Sequence, residues 1–161
     1  MTRTRSAFLV VNIVLLAALI LIAQGQSKSA VGTWKLDTSK SDFAGMPAPK
    51  EMTVTVTQDT KDKVAWKANG VGPDGKKINE TFSGPVNGKP TAVKGSPMNE
   101  SVAYTRNEDG TVTAVTSDKD GKEVARSSFS WSEDGKTMTN KGTRKGPNGD
   151  VNYTEVFNKV K

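Results

Sequence analysis

The sequence predicts an all-β protein, an antiparallel meander barrel of about eight to ten strands. Six Asn-Gly or Asp-Gly pairs punctuate the last two-thirds of the chain, mostly 11 to 14 residues apart, and a seventh, Asn69-Gly70, falls inside an alternating segment. Apolar and polar side chains alternate between these pairs, and no apolar residue after the first 25 recurs at helical spacing. Together these observations indicate short strands joined by tight turns.

The Asx-Gly pairs predict where the chain reverses. Asn or Asp followed by Gly tolerates the positive φ angles of a type I′ turn, and that turn matches the twist of two antiparallel strands. Each pair is therefore interpreted as a hairpin. The pairs are Asp74-Gly75, Asn87-Gly88, Asp109-Gly110, Asp120-Gly121, Asp134-Gly135 and Asn148-Gly149.

Alternation of apolar and polar residues between the turns predicts ten strands. They cover residues 31–36, 51–58, 63–71, 77–83, 91–94, 100–107, 111–117, 123–131, 137–144 and 151–160. The long connection from 37 to 50 contains Pro47 and Pro49, which limit it to one helical turn near residues 38–42.

Side-chain parity predicts which face of each strand is buried. Met52, Val54 and Val56 share one face of the second strand, and similar apolar faces recur along the chain. The opposite faces carry Thr, Lys, Asn and Ser. Such a meander closes into a barrel or stacks as two sheets. Even hairpin spacing without long crossings favours the barrel, and a two-sheet β-sandwich is the alternative.

The first 25 residues predict an export signal that forms a helix ahead of the barrel. Two Arg residues precede a nearly continuous apolar run over 7–23, and Ala23 and Gly25 place small residues where a signal peptidase cuts. We expect residues 1–25 to be removed, which leaves 26–161 as a single domain in the periplasm or outside the cell. The alternative is an uncleaved membrane anchor formed by the apolar run.

Composition excludes several kinds of chemistry. The chain has no His and no Cys, which excludes Ser-His-Asp and Cys-His catalysis, thiol redox chemistry and zinc sites built on imidazole or thiolate. Because no catalytic constellation can be assembled, we predict a non-enzymatic protein without cofactor or metal. The net charge is +6, but the basic residues form no stripe with stacking aromatics, so no nucleic-acid partner is expected. A monomer is expected, with membrane contact only through an uncleaved signal.

Inward-facing residues supply the candidate ligand-binding set. Aromatic and Met side chains would surround any hollow inside the barrel, because small-molecule sites are mostly apolar with a few polar groups. Arg106 shares the inward parity, so we expect it inside, held by Glu155 or Glu80 and able to donate to a polar ligand group. A solvated position at the barrel rim is the alternative. The candidates are Trp66, Phe82, Tyr104, Arg106, Phe129, Met138, Glu155 and Phe157.

Two functions follow from this pattern. The first is an exported barrel that binds or carries a hydrophobic or amphipathic small molecule. The second is a non-enzymatic structural or interaction module of the cell envelope with a filled core. The presence of a cavity distinguishes them.

Both ends of the domain resemble calycins, the superfamily of lipocalins and fatty-acid-binding proteins. Gly32-Thr33-Trp34 resembles their Gly-x-Trp start, and residues 154–160 are similar to the last strand of intracellular fatty-acid-binding proteins. Glu155 stands where that family has the Arg that grips a fatty-acid carboxylate, and Phe157 replaces its helper Tyr. The resemblance implies a barrel with an apolar ligand, and a Trp34 plug beneath Arg144 or Lys159.

A second resemblance covers nearly all of the domain. It is to small exported bacterial all-β proteins of unknown function, and it implies export and fold without supplying catalytic residues. The matching segments are Trp34-Lys35-Leu36-Asp37, Ser39-Lys40-Ser41-Asp42-Phe43, Pro47-Ala48-Pro49-Lys50, Asp134-Gly135-Lys136-Thr137-Met138-Thr139 and Lys141-Gly142-Thr143.

Overall fold

The computed structural model describes residues 29–98 and 100–161, which contain ten strands. The predicted signal helix, its cleavage site and the anchor alternative lie outside these residues. In the described part, no helix has the length and apolar character needed to cross a bilayer. The strands are β1 Gly32–Leu36, β2 Glu51–Asp59, β3 Lys63–Val71, β4 Lys77–Pro85, β5 Thr91–Ala92, β6 Ser101–Arg106, β7 Val112–Ser117, β8 Glu123–Trp131, β9 Thr137–Gly146 and β10 Gly149–Lys159.

All ten strands belong to one antiparallel sheet that curls into a nearly closed barrel. Each strand lies beside its sequence neighbours, and β1 also pairs with β10, where Trp34 lies opposite Lys159. The remaining gap, between β4 and β5, is bridged by two backbone hydrogen bonds of 2.9 Å between Thr81 and Lys94. The predicted barrel is therefore confirmed, and the two-sheet sandwich is wrong.

The predicted strands agree with the observed ones to within two residues at every boundary. The long connection after β1 contains one hydrogen-bonded turn over residues 38–40, where Lys40 N donates to Asp37 O at 3.2 Å, within the single helical turn allowed near residues 38–42. The rest of the connection is not helical. It lies along β10 instead, because Asp42 N donates to Thr154 O at 2.7 Å and Val156 N donates to Ser41 Oγ at 2.9 Å. The connection thus continues the line of β1 along the last strand.

The type of hairpin turn differs from the prediction. Glycine in each of the six turn pairs has positive φ, but among the described non-glycine residues only Ala44 does, which excludes type I′ turns. At Asp109-Gly110, Gly110 N donates to Asn107 O at 3.1 Å. Asp109 Oδ1 accepts Thr111 N at 2.9 Å. These are type I turns followed by a left-handed glycine, stabilised by the Asx side chain.

One Asx-Gly pair is not a hairpin. Asn87-Gly88 lies in the connection between β4 and β5, where Gly88 N donates to Tyr104 O at 2.9 Å. The pair closes the barrel against β6 and does not reverse a ribbon.

Two apolar clusters occupy the interior. One gathers around Trp34, which is fully buried, and the other around Phe82 and Tyr104. Trp66, Phe129 and Trp131 are only partly buried and pack against both clusters. The exposed area that these aromatics retain faces the space between the clusters.

Candidate functional site: the barrel cavity

A cavity of about 230 Å³ lies inside the barrel. Eight strands contribute to its wall, all except β1 and β5. Val, Ala, Met and aromatic side chains form most of the surface. Polar groups come from Asp59, Glu80, Tyr104, Arg106, Asn140 and Glu155. A dry apolar cavity of about 150 Å³ holds benzene, so this one has room for a somewhat larger molecule.

Seven of the eight predicted binding residues line this cavity: Trp66, Tyr104, Arg106, Phe129, Met138, Glu155 and Phe157. Phe82 does not belong to the wall. Its ring stacks on Trp66, with centroids 5.8 Å apart, and meets the edge of Tyr104 at 5.1 Å. Phe82 therefore supports two aromatic residues of the wall from behind.

An indole and a phenol are linked across the wall. Trp66 Nε1 donates to the hydroxyl of Tyr104 at 3.0 Å. Burial, slightly offset by this hydrogen bond, raises the pKa of Tyr104 to about 12. The phenol therefore stays neutral near physiological pH and fixes the Trp66 ring against the cavity.

One end of the barrel is closed by Trp34, as the calycin resemblance implies. The indole is fully buried, and its Nε1 donates to Ala30 O at 2.7 Å. Of the two expected basic partners, Lys159 is present, with Nζ 5.2 Å from the ring centroid. Arg144 instead stacks over Tyr153, with its guanidinium carbon 3.8 Å from the centroid of the Tyr153 ring.

Arg106 lies inside as predicted, but the predicted partners are wrong. Its guanidinium pairs with Asp59, and the two side chains are 18% and 5% exposed. Nη2 also donates to Thr60 O at 3.2 Å. The partner was missed because a β-bulge between Val56 and Gln58 shifts the parity of β2 and turns Asp59 inward, where its Oδ2 accepts Ala30 N at 2.7 Å.

Glu155 has partners on its own side of the barrel. Its carboxylate accepts Asn140 Nδ2 at 3.0 Å and lies 3.6 Å from Arg144 Nη2. Asn140 was not among the sequence candidates, although it follows Met138 by two positions and so shares its inward parity. The three residues form a polar patch on β9 and β10.

Two buried polar atoms on the wall have no hydrogen-bond partner among the described residues. They are Trp131 Nε1, a donor, and Asn140 Oδ1, an acceptor. Both residues line the cavity, and Asn140 as a whole is 7% exposed. Since buried polar groups are nearly always paired in folded proteins, these atoms are positions where a ligand group would be complementary.

Glu80 occupies the facing wall, on β4. Burial raises its pKa, and the nearby negative charge of Glu100 raises it further. Within the described chain, its carboxylate makes neither a hydrogen bond nor an ion pair. Glu80 is thus a half-buried acid that faces the cavity without a cation.

Several solved structures are similar to this chain in fold, at low sequence identity. No protein-family model matches the chain, and neither does any curated protein. The wild-type fluorescent protein UnaG superposes with a TM-score of 0.59 and 16% identity, over 81% of this chain and 97% of that one. An abundant heat soluble (SAHS) protein of Ramazzottius varieornatus gives 0.55 and 13%, over 83% and 96%.

A ligand-bound structure is also similar. Zebrafish ileal bile acid-binding protein, complexed with cholic acid, gives a TM-score of 0.51 and 12% identity, over 81% of this chain and 98% of that one. At these identities the likenesses show the fold alone, a nearly closed antiparallel β-barrel that this chain shares with the three proteins.

Removal of the Asp59 charge tests the inner ion pair. Asp59→Asn should lower the free energy of unfolding by about 2–4 kcal/mol in urea titrations, because Arg106 keeps a charge that is mostly buried. Asp120→Asn is the control, since Asp120 pairs with Lys119 at the surface and its loss should cost under about 0.5 kcal/mol. Equal losses in the two variants would show that the inner pair has no special role.

Neutralisation of Glu80 tests the acid without a partner. The pKa of Glu80 is higher in the folded protein than its ordinary value of 4.5. Ionisation of Glu80 therefore opposes folding as the pH rises above 4.5. Glu80→Gln should therefore stabilise the protein near neutral pH, by less than about 1 kcal/mol because the group is only half buried. Thermal unfolding at a series of pH values should show that this gain in stability vanishes as the pH falls below 4.5.

Glu123→Gln provides a control of opposite sign. Its hydrogen bond with Arg126 lowers the pKa of Glu123, so this carboxylate stabilises the fold at neutral pH and the effect is lost as pH falls. A Glu80→Gln protein less stable than the parent at neutral pH would contradict the assignment.

Proposed function

We propose that the protein binds a small hydrophobic or amphipathic molecule inside the barrel. The observation that carries this proposal is the cavity of about 230 Å³ with a largely apolar wall. Trp66, Phe129 and Trp131 keep part of their surface exposed to it, and burial of that surface against an apolar ligand is favourable by about 25 cal/mol per Å². A molecule with a compact ring or short chain fits this volume best.

The open polar atoms favour an amphipathic ligand over a pure hydrocarbon. Trp131 Nε1 offers one donor and Asn140 Oδ1 one acceptor, both without protein partners in the described chain. A ligand with complementary groups removes the cost of leaving these atoms buried and unpaired, about 1–3 kcal/mol each. A contact with either atom would add specificity to the apolar burial.

The structural comparison supports the class of ligand. In the zebrafish bile acid-binding protein, a barrel of the same fold is complexed with cholic acid, which is itself amphipathic. Identity is only 12%, so the support extends to the kind of site and not to the molecule bound.

A structural module with a filled core is the competing hypothesis. The cavity favours a binding protein over that module, because the space it leaves between the two apolar clusters is large enough for a ligand. We propose binding or carriage alone, without a catalytic step or cofactor.

Filling the cavity should abolish binding while preserving the fold. Ala68 is buried and lines the cavity, whereas Ala65 on the same strand faces the other side. Ala68→Leu should weaken binding of the neutral two-ring dye 1-aminonaphthalene at least about tenfold, while Ala65→Leu leaves it unchanged. Dye fluorescence measures binding, and circular dichroism verifies the fold. A flat titration with the parent protein would contradict the proposed function.

We further propose that the binding domain is exported. The proposal rests on the charged start, the apolar run over 7–23 and the small residues at Ala23 and Gly25. Intact-mass measurement of protein from exporting cells should give a chain that begins at Gln26, outside the cytoplasm. Full-length protein in the membrane would support the anchor, and full-length protein in the cytoplasm would contradict export.

A further inference from the structure

The cavity wall carries more negative than positive side chains. Three carboxylates line it, from Asp59, Glu80 and Glu155, and one guanidinium, from Arg106. A barrel that grips an anionic head group requires the reverse balance, with cations or hydrogen-bond donors aimed inward. The excess of negative charge on the wall therefore bears on the charge of the ligand.

Two of the three carboxylates already form ion pairs with arginine side chains. Asp59 pairs with Arg106 at the closed end, and Glu155 lies 3.6 Å from Arg144. To bind a ligand carboxylate, either guanidinium would have to release its present partner, which is a mostly buried carboxylate. That exchange is costly, because it leaves an unpaired charge in a low-dielectric site.

Glu80 holds the uncompensated charge. It makes no ion pair within the described residues, and Glu100 lies close enough to raise its pKa further by repulsion. An organic anion placed in this cavity would meet that repulsion. A cation would relieve it.

Asn140 provides an independent observation that also favours a ligand with a hydrogen-bond donor. The residue is 7% exposed, and its Nδ2 is engaged with the Glu155 carboxylate at 3.0 Å. That contact fixes the orientation of the amide, because a carboxylate accepts only from the NH₂ side. Oδ1 therefore points away as a buried acceptor without a partner, and it requires a donor.

We propose that the cavity selects a hydrophobic amine, whose ammonium group donates to Asn140 Oδ1 in the field of the Glu80 and Glu155 carboxylates, over a fatty acid or other organic anion. This inference rests on the proposed binding function and specifies its ligand class.

Three eight-carbon compounds that differ only in the head group test the proposal. Octylamine, octanol and octanoate compete with the neutral dye 1-aminonaphthalene for the full chain near neutral pH, where they are cationic, neutral and anionic. We expect octylamine to displace the dye at a concentration at least about tenfold lower than octanoate, because its contact with Asn140 is charge-assisted and octanoate is repelled by the wall. Octanol should lie between them.

Two matched variants test whether the preference for octylamine arises from the cavity wall. Glu80→Gln should reduce the preference for octylamine over octanol about tenfold, since it removes the unpaired charge and retains the shape. Glu123→Gln removes an equal charge from the surface of β8 and should leave the preference unchanged. Thermal unfolding of each variant confirms that the protein compared is folded.

The outcomes separate this inference from the proposed function. If octanol and octanoate displace the dye as well as octylamine does, the cavity binds small molecules but the amine assignment is overturned. Equal loss of the preference in both variants also overturns it, because the effect would then come from net charge. If neither 1-aminonaphthalene nor octanol binds, the proposed function itself fails.

Discussion

The pairing of the first strand with the last is the constraint on which the structure depends. Because β1 lies between β2 and β10, the ribbon of hairpins closes on itself, and each inward side chain faces another wall. The same pairing places Trp34 under Lys159 and closes one end of the barrel. A closed ring of ten strands has an interior wider than these side chains fill, and the cavity is the consequence.

Polar groups inside this barrel divide into those that the fold satisfies and those that it leaves open. Asp59 is matched by Arg106, and Glu155 by Asn140 and Arg144, which offsets the cost of burying them. Glu80, Asn140 Oδ1 and Trp131 Nε1 have no such match among the described residues. Since buried polar groups in folded proteins are nearly always paired, the unpaired groups on this wall mark where selectivity for a ligand arises.

Sequence alone predicted the architecture well, because strand parity and turn residues are local signals. It placed Trp66, Tyr104 and Phe129 on the inner face correctly. It missed Asp59, because a bulge changes parity without leaving a signal in the residue pattern. It also chose the wrong turn type, since Asx-Gly suits both type I′ turns and type I turns with a left-handed glycine. Cavity volume and the open Asn140 oxygen depend on packing across strands, which periodicity does not encode.

Methionine methyl signals in a nuclear magnetic resonance titration test the central claim most directly. Met52 and Met138 line the cavity on β2 and β9, whereas Met98 is 64% exposed and Met46 lies in the connection before β2. With methyl-labelled protein and added octanol, the account predicts saturable shifts of Met52 and Met138 while Met46 and Met98 stay fixed. Shifts confined to Met46 and Met98, or none at saturating octanol, would contradict a ligand inside the barrel.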